Sequence, residues 1–294
     1  MSENPLVSVV IATYNMAQHL PSAVQSILAQ TYENIELLII DDGSSDNTQN
    51  VLEPFLKDSR AIYRRQENKG QAAAKNHGVF EAKGKYIAFL DADDMWVSEK
   101  LELQIPVFSK SKAIGIVYAK VMCINESGEH IGIASNNMLR GRLSSQLFVR
   151  NNIGFGTSVV KKECFERLGG FNESIRMGID YDLWLRFSTQ YEFDYVDSPL
   201  LYYRIWPGQM SNNCKGRYLN GIQIMKNFLH NFPGVIDKKT EKAAWAYTYV
   251  GFGQCVRSLD GKFIPCLKLY LHALTYKPTC LLAWKAIAKA ILGR

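Results

Sequence analysis

Short apolar segments alternate with segments of helical periodicity over the first ninety-odd residues of the chain. The apolar segments are 7–12, 35–40, 61–65 and 85–90. The segments with helical spacing are 17–30, 44–56 and 71–82. Strands that are apolar on both faces, and that alternate with helices, are typical of a parallel sheet covered by helices on both sides. This part of the chain is therefore predicted to have an α/β fold.

The pattern changes twice further along the chain. Residues 114–205 mix strand and helix patterns, and we expect them to extend the same sheet. From about residue 218 the periodicity is wholly helical. The predicted helices are 218–228, 239–259, 263–276 and 281–292. We therefore predict an α/β domain over residues 1–217 and an all-helical extension over residues 218–294.

Polar and acidic residues follow three of the predicted strands directly. Thr13 and Tyr14 follow the first, Asp42 follows the second, and the sequence Asp91-Ala92-Asp93 follows the fourth. Ligands of open α/β sheets bind beyond the carboxyl ends of the strands, so these residues should meet in one cleft. Two carboxylates separated by one residue suit Mg²⁺ or Mn²⁺, which combine carboxylates with substrate phosphates.

Two further positions have both a functional and a structural interpretation. Lys75 lies in a predicted helix that opens with glycine and small residues, and a helix N-terminus attracts anions, but it could equally be a surface lysine. Asp180 stands at the start of another helix, where it could serve as a general base or simply as a cap. Tyr14 could likewise stack on a base or pack partly in the core.

Composition excludes some classes of protein and leaves others open. Of the 294 residues, 47% are hydrophobic and 21% charged, which is typical of a globular protein. The net charge of +6 suits an anionic substrate or membrane surface, and ordinary solubilising charge explains it as well. No basic stripe with interleaved aromatic residues occurs in the first 230 residues, so we expect no nucleic-acid partner. The six cysteines form no CxxC pair, and we expect reduced thiols in a reducing compartment.

The patterns near the two ends of the sequence indicate where in the cell the protein is expected. The first residues have neither a basic nor an apolar leader pattern, and no run of about 18 apolar residues occurs, so a cytoplasmic protein is expected. The segment 281–292 is apolar with lysines four residues apart. It suits a helix packed in a core, which we favour, or a helix lying on the inner face of the plasma membrane.

Seven motifs, all in order, resemble the inverting family 2 glycosyltransferases of the GT-A fold, over roughly residues 6–205. They are VSVVIATYN, QTYENIELLIIDDGSSDNT, ENKGQAAAKNHGV, GKYIAFLDADDMW, GGFNESI, GIDYDLWLR and YYR. The resemblance implies a Rossmann-like, mostly parallel sheet flanked by helices. It also implies a nucleotide-sugar donor, a carbohydrate or lipid-linked sugar acceptor, and a role in bacterial surface polysaccharide or glycolipid synthesis. The sequence does not indicate an oligomeric state.

The resemblance also assigns residue roles. The nucleobase, typically uracil, would be bound by Ala12, Thr13, Tyr14 and Asp42. The donor diphosphate and its Mn²⁺ or Mg²⁺ would be held by Lys75, Asp91, Ala92 and Asp93, with Asp93 as the favoured direct metal ligand and Asp91 beside it. Arg204 would lie near the diphosphate or the acceptor. Asp180 would be the catalytic base.

Three positions depart from the family pattern. Lys75 stands where arginine is frequent, Ile179 where a glutamate often precedes the base, and Trp206 where a histidine often follows the YR pair. Two alternatives stay open: a catalytically inactive nucleotide-binding or scaffold protein, and a metal-dependent nucleotidyltransferase. A glycosidase is disfavoured, because Asp180 has no obvious acid partner in its segment.

Overall fold

The computed structural model of the chain describes residues 4–134, 137–261 and 263–292, and its described strands all belong to one sheet. The strands are β1 (Val7–Thr13), β2 (Ile35–Asp41), β3 (Ala61–Arg65), β4 (Tyr86–Phe89), β5 (Met95–Trp96), β6 (Ile114–Ile124), β7 (His130–Ile133), β8 (Val159–Lys161) and β9 (Glu192–Arg204). Their order is β3-β2-β1-β4-β8-β6-β9-β5, with β7 paired to β6.

Strands β1 to β4 form the parallel part of the sheet that the alternating pattern predicts. β1 pairs with both β2 and β4, and its last residue, Thr13, lies opposite Asp41. Antiparallel pairing begins at β8, which lies between β4 and β6. The middle section therefore extends the first sheet, as expected.

Residues 114–124, in the section with a mixed pattern, form one long strand, β6, although the charged Lys120 interrupts their apolar pattern. β6 pairs in parallel with β9 along its whole length, with register irregularities on either side of Lys120. Lys120 makes an ion pair with Asp197, and this charged residue interrupts the apolar pattern without ending the strand. Pairing with a long neighbour thus overrides the local break in the pattern.

Six α-helices within the described residues belong to the same unit as the sheet. They are α1 (Leu20–Leu28), α2 (Thr48–Leu52), α3 (Gln71–Glu81), α4 (Lys100–Gln104), α6 (Lys162–Leu168) and α7 (Ile179–Ser188). α1 tolerates Pro21 because proline in the first turn lacks only a donor that would be unpaired there. α3 lies very close to β1: a Cβ added to Gly78 would come within 2.4 Å of Val10 Cγ1.

A second unit is wholly helical. Its helices are α5 (Ser144–Val149), α8 (Cys214–Asn231), α9 (Lys238–Asp260), α10 (Phe263–Tyr276) and α11 (Leu281–Ile291). Asp237 caps α9 by accepting bonds from the backbone N–H groups of Lys239 and Thr240. Gly261 ends it with a left-handed φ of 61°. None of the described helices is both long and apolar enough to cross a membrane.

The two compact units are the described residues of Met1–Leu143 with Asn152–Pro207, and of Ser144–Asn151 with Gly208–Arg294. The helical unit thus includes α5, which comes from the middle of the sequence. The domain division after residue 217 stays a prediction.

One expectation about the cysteines is wrong. Cys214 at the start of α8 and Cys255 in α9 form a disulfide, whereas all six cysteines were expected to be reduced. The other four, Cys123, Cys164, Cys266 and Cys280, are free thiols. Sequence spacing could not reveal the pair, because 41 residues separate the two partners and only the packing of α8 on α9 brings them together.

Candidate active site

The loops after β1 and β2 are bound to each other at the carboxyl edge of the sheet. The backbone N–H of Asp42 donates to the carbonyl of Thr13 over 2.8 Å. Asn15 has a left-handed φ of 54°, and its side-chain oxygen accepts a bond from the backbone N–H of Ser45 over 2.7 Å. Tyr14 lies between Thr13 and Asn15 in the chain and is 47% exposed, whereas Ala12 is half-buried and Thr13 is buried. The phenol ring of Tyr14 is therefore free of the core and sits on a fixed loop.

The Asp42 carboxylate connects this edge to helix α3. It accepts bonds from the backbone N–H groups of Lys69 and Gly70, at 2.9 and 2.7 Å, and from the Gln66 side chain at 2.8 Å. A carboxylate has about four acceptor positions. The buried Asp42 thus fixes the segment before α3 and retains acceptor capacity for a ligand.

Lys75 is not a surface lysine. Its side chain is 4% exposed, and its Nζ makes an ion pair with Oδ1 of Asp91 at 2.9 Å. The same ammonium lies 4.1 Å from the centroid of the Phe155 ring. The structure therefore places a buried positive charge beside the first carboxylate of the DxD sequence, as the functional interpretation of Lys75 requires.

Asp93 is held by Arg204, the last residue of β9, and by Trp206, which follows that strand. Its Oδ2 accepts a bond from the Trp206 indole Nε1 at 2.9 Å, and its backbone carbonyl accepts from Arg204 Nε at 3.0 Å. Burial, followed by the negative charge of Asp91, raises the pKa of Asp93, and the Trp206 bond opposes that rise. The centroids of the Trp206 and His19 rings lie 5.1 Å apart.

Asp94 is a residue that the sequence analysis missed. It is buried, and its Oδ1 accepts a bond from the backbone N–H of Arg204 at 2.9 Å. Burial and the charges of Asp93 and Asp91 raise its pKa well above the usual value. The only sequence signal was that the DxD pair is followed by a third acid. The buried Arg204 guanidinium also donates to the carbonyl of Glu126 at 2.7 Å, so Arg204 organises the segment around these acids.

Asp180 is the second residue of α7, after a glycine with a left-handed φ of 75°. It is half-buried. Asp182, two residues further along, makes an ion pair with Arg186 at 2.9 Å. Asp182 is buried, so the two acids of this helix differ in their exposure to solvent.

The segment leading to Asp180 is attached to α3, the helix that carries Lys75. The Asn76 side chain donates to the carbonyl of Phe171 at 2.9 Å and accepts from its N–H at 2.7 Å. A Cβ at Gly170 would lie 2.3 Å from Asn76 Oδ1, so this close approach requires glycine. Gln71 adds a bond to the carbonyl of Arg176 at 3.1 Å. The contacts thus connect the segment before Asp180 to α3. Asp42 binds the backbone just before the N-terminus of the same helix, and Asp91, which follows β4, pairs with Lys75 in its second turn.

The acids fit a divalent cation of the Mg²⁺ type. Among the described residues, no group of three His, Cys, Asp or Glu side chains forms a complete metal cage. Mg²⁺ does not need one, because it is usually bound by one or two carboxylates together with substrate phosphates and water. The neighbouring charge of Asp91 raises the pKa of Asp93, and a cation between them would remove this repulsion.

Comparison with known sequences identifies the family. The profile of Glycosyl transferase family 2 matches residues 8–168, and the chain belongs to this family. It is 33% identical to an uncharacterised glycosyltransferase of Rickettsia felis over 77% of this chain, but spans only 37% of that protein. A glycosyltransferase of Rickettsia prowazekii is 32% identical over 77% of this chain and 72% of its own length. Chondroitin synthase of Escherichia coli is 32% identical over 70% of this chain and 29% of its own length.

Solved structures confirm the fold. The mannosyltransferase PcManGT of Pyrobaculum calidifontis, in complex with GDP-Man and Mn²⁺, matches with a TM-score of 0.66 and 17% identity, over 100% of this chain and 89% of its own. Residues 1–349 of Staphylococcus aureus TarS, in complex with UDP-GlcNAc, match with a TM-score of 0.63 and 15% identity, over 98% and 92%. The expected GT-A type of fold with a helical C-terminal region is thereby confirmed.

Proposed function

We propose that the chain is an inverting glycosyltransferase that moves a sugar from a nucleoside-diphosphate sugar, most simply a UDP-sugar, to an acceptor hydroxyl. The observation that carries this proposal is the juxtaposition of the buried Lys75 with Asp91, two residues before Asp93, whose pKa is raised by burial and by the charge of Asp91, at the carboxyl end of β4. Two carboxylates can bind a metal, and the buried ammonium next to them can bind a diphosphate at the same place. Similarity to proteins solved with UDP-GlcNAc and with GDP-Man and Mn²⁺ supports this choice of ligand.

The donor would lie along the carboxyl edge of the sheet. Exposed Tyr14 can stack on the base, and the remaining acceptor capacity of Asp42 can bind the base or ribose. Ala12 and Thr13 would contribute from the end of β1, and Ala92 from the turn between the acids. Lys75 would contact the diphosphate with its ammonium, while Arg204 keeps Asp93 and Asp94 in position.

Asp93 and Asp91 would hold Mn²⁺ or Mg²⁺, which supplies positive charge to the departing diphosphate. Asp180 would accept the proton of the acceptor hydroxyl. The acceptor oxygen then forms a bond to the anomeric carbon, and the bond from that carbon to the phosphate oxygen breaks on the opposite side. The electron pair stays on the nucleoside diphosphate, and the configuration at the anomeric carbon is inverted.

The acceptor is proposed to be a carbohydrate or a lipid-linked sugar of a bacterial surface polysaccharide or glycolipid. Similarity to a chondroitin synthase supports a polysaccharide product. The proposed location is the cytoplasm.

A panel of UDP- and GDP-sugars tests the proposal. Thermal unfolding is recorded with each donor in the presence of Mn²⁺, Mg²⁺ or EDTA, and nucleoside diphosphate release is measured with added acceptors. We expect one donor to raise the unfolding midpoint only when metal is present. Asp93→Asn should abolish this shift, whereas Glu53→Gln, at an exposed acid away from the cleft, should retain it.

The outcomes separate the alternatives. Metal-dependent donor binding with no release of nucleoside diphosphate under any acceptor condition would favour the inactive scaffold. Pyrophosphate release would show a nucleotidyltransferase. The absence of any metal-dependent donor shift would refute the proposed site.

A further inference from the structure

Helix α11 exposes most of its large apolar side chains and buries three of its four alanines. Its buried residues are Ala283, Ala286, Ile287 and Ala290. By contrast, Leu281 is 72%, Trp284 52% and Ile291 67% exposed. A helix that only completes a core would bury leucine and tryptophan in preference to alanine, because burial of the larger side chains is more favourable.

Helix α10, which packs against α11 in one core, also exposes large apolar side chains. Tyr270 and Ala273 of α10 are buried in this core with Ala283 of α11. Ile264 is 64% and Leu271 50% exposed. We call the exposed apolar and basic side chains of α10 and α11 the basic apolar surface. Its members are Phe263, Ile264, Lys268, Leu271, Leu281, Leu282, Trp284, Lys285, Lys289, Ile291 and Leu292.

The charged side chains at the C-terminal end of the sequence are all basic. Residues 261–294 contain six lysine and arginine residues and neither aspartate nor glutamate. The remaining 260 residues contain 28 basic and 28 acidic residues, so the entire net charge of +6 comes from these last 34 positions. On α11, Lys285 and Lys289 are exposed and four residues apart, a spacing at which like charges repel unless an anion lies between them.

We propose that the basic apolar surface binds the surface of an anionic lipid bilayer. The leucine, isoleucine and tryptophan side chains enter the boundary between headgroups and acyl chains, and the lysines contact lipid phosphates. Trp284 suits this position, because its indole N–H donates to the carbonyl of Pro278 at 2.8 Å and its ring remains exposed.

The charge distribution favours a bilayer over a second copy of the chain. A symmetric dimer through the basic apolar surface would bring the same lysines together without a carboxylate to pair with them. An anionic bilayer supplies both an apolar layer and negative charge. Binding at the interface also agrees with the absence of a membrane-crossing helix among the described residues.

Sedimentation of the full chain with vesicles tests the proposal. Vesicles of phosphatidylcholine alone are compared with vesicles that contain about one-third phosphatidylglycerol, at low and high salt. We expect binding to the anionic vesicles that weakens with salt. Lys285→Glu with Lys289→Glu should weaken it at least about twentyfold, since each basic residue near the surface strengthens binding several-fold. Trp284→Gln with Leu282→Gln should weaken binding at both salt concentrations.

The matched control reverses two exposed lysines of α9, Lys239→Glu with Lys242→Glu, and should change binding much less. Thermal unfolding of each variant, with and without nucleotide sugar, shows whether the fold and donor binding persist. A failure of the membrane proposal is therefore distinguishable from a failure of the proposed function. Equal binding to both kinds of vesicle, or binding that both α11 double variants leave unchanged, would overturn the proposal. So would self-association in light scattering that the α11 variants abolish, without vesicle binding.

Discussion

Trp206 donates its indole N–H to Oδ2 of Asp93 over 2.9 Å. The bond favours the ionised form of a carboxylate that burial and Asp91 push towards the neutral form. Tryptophan stands here in place of the histidine that the family often has after its YR pair. The substitution therefore exchanges a residue that can bind a metal directly for one that orients the proposed metal ligand.

Trp206→Phe should weaken Mn²⁺ binding. Phenylalanine preserves the ring contact with His19 but removes the N–H donor, so the pKa of Asp93 should rise further. Loss of a hydrogen bond to a metal ligand typically lowers metal affinity about tenfold or more. Calorimetric titration of Mn²⁺ in the presence of nucleotide measures the effect. Trp284→Phe, at an exposed tryptophan, is the control, and equal affinities in both variants would contradict the prediction.

Asp94→Asn should stabilise the metal-free protein at neutral pH. A raised pKa means that the folded chain retains a proton that the unfolded chain releases above about pH 3.8. The contribution of Asp94 to stability is therefore fully present below that pH and is lost as the pH rises through the folded pKa. Asparagine cannot ionise, and its Oδ1 can still accept the Arg204 bond.

The difference in unfolding free energy between this variant and the wild type should accordingly grow from pH 4 to pH 7 in EDTA. Chemical denaturation at several pH values measures it, and the acids that do not interact with Asp94 cancel in the comparison. A variant that is less stable at pH 7, or a difference that does not change with pH, would contradict the assignment.

Asp180 and Asp182 should respond oppositely to the same substitution. Asp180→Asn should preserve donor binding and reduce sugar transfer about 10²- to 10⁴-fold, as expected for loss of a general base. Asp182→Asn removes the partner of Arg186 and should lower stability by about 2 kcal/mol with a smaller effect on transfer. Donor titration, nucleoside diphosphate release and thermal unfolding separate the two cases. Normal turnover of Asp180→Asn would exclude Asp180 as the base.

The sequence was sufficient for those features that depend on local pattern. The strands β1, β2 and β4, the helix α7 and the acids that follow β2 and β4 were all predicted from periodicity and turn residues. Their convergence at one edge followed from the rule that parallel strands end on the same side of a sheet. The assigned roles of these residues remain predictions.

Features that depend on tertiary packing were not predictable. Lys75 has the sequence context of an exposed helical lysine, yet Phe155, from a distant segment, covers it. Asp94 gains its environment from Arg204, 110 residues away. The core-packed and surface interpretations of α11 looked like alternatives, but the helix is packed on its alanine face and exposed on its leucine and tryptophan face.

Glycine-to-alanine substitutions in two helices should have opposite effects. Gly78→Ala in α3 places a methyl group 2.4 Å from Val10 Cγ1, and overpacking of this kind costs about 1–3 kcal/mol. Gly221→Ala in α8 meets no atom within 4 Å and should gain up to about 1 kcal/mol from helix propensity. Thermal unfolding of both variants shows whether each substitution raises or lowers the stability. Stabilisation by Gly78→Ala would contradict the close packing of α3 on β1.

Removal of the Cys214–Cys255 disulfide should destabilise the helical unit. Closing a segment of 41 residues restricts the unfolded chain, and chain entropy alone predicts a contribution of about 4 kcal/mol. Cys255→Ser, or a reductant, should therefore lower the unfolding midpoint, whereas Cys123→Ser, at a free thiol, should change it little. Thiol titration of the denatured, unreduced protein should find four thiols. Disulfides are rare in reducing compartments, so the same titration shows whether the bond forms in the proposed location. Six thiols in protein isolated from the cytoplasm would show that the bond does not form there, and four would show that it survives in that compartment.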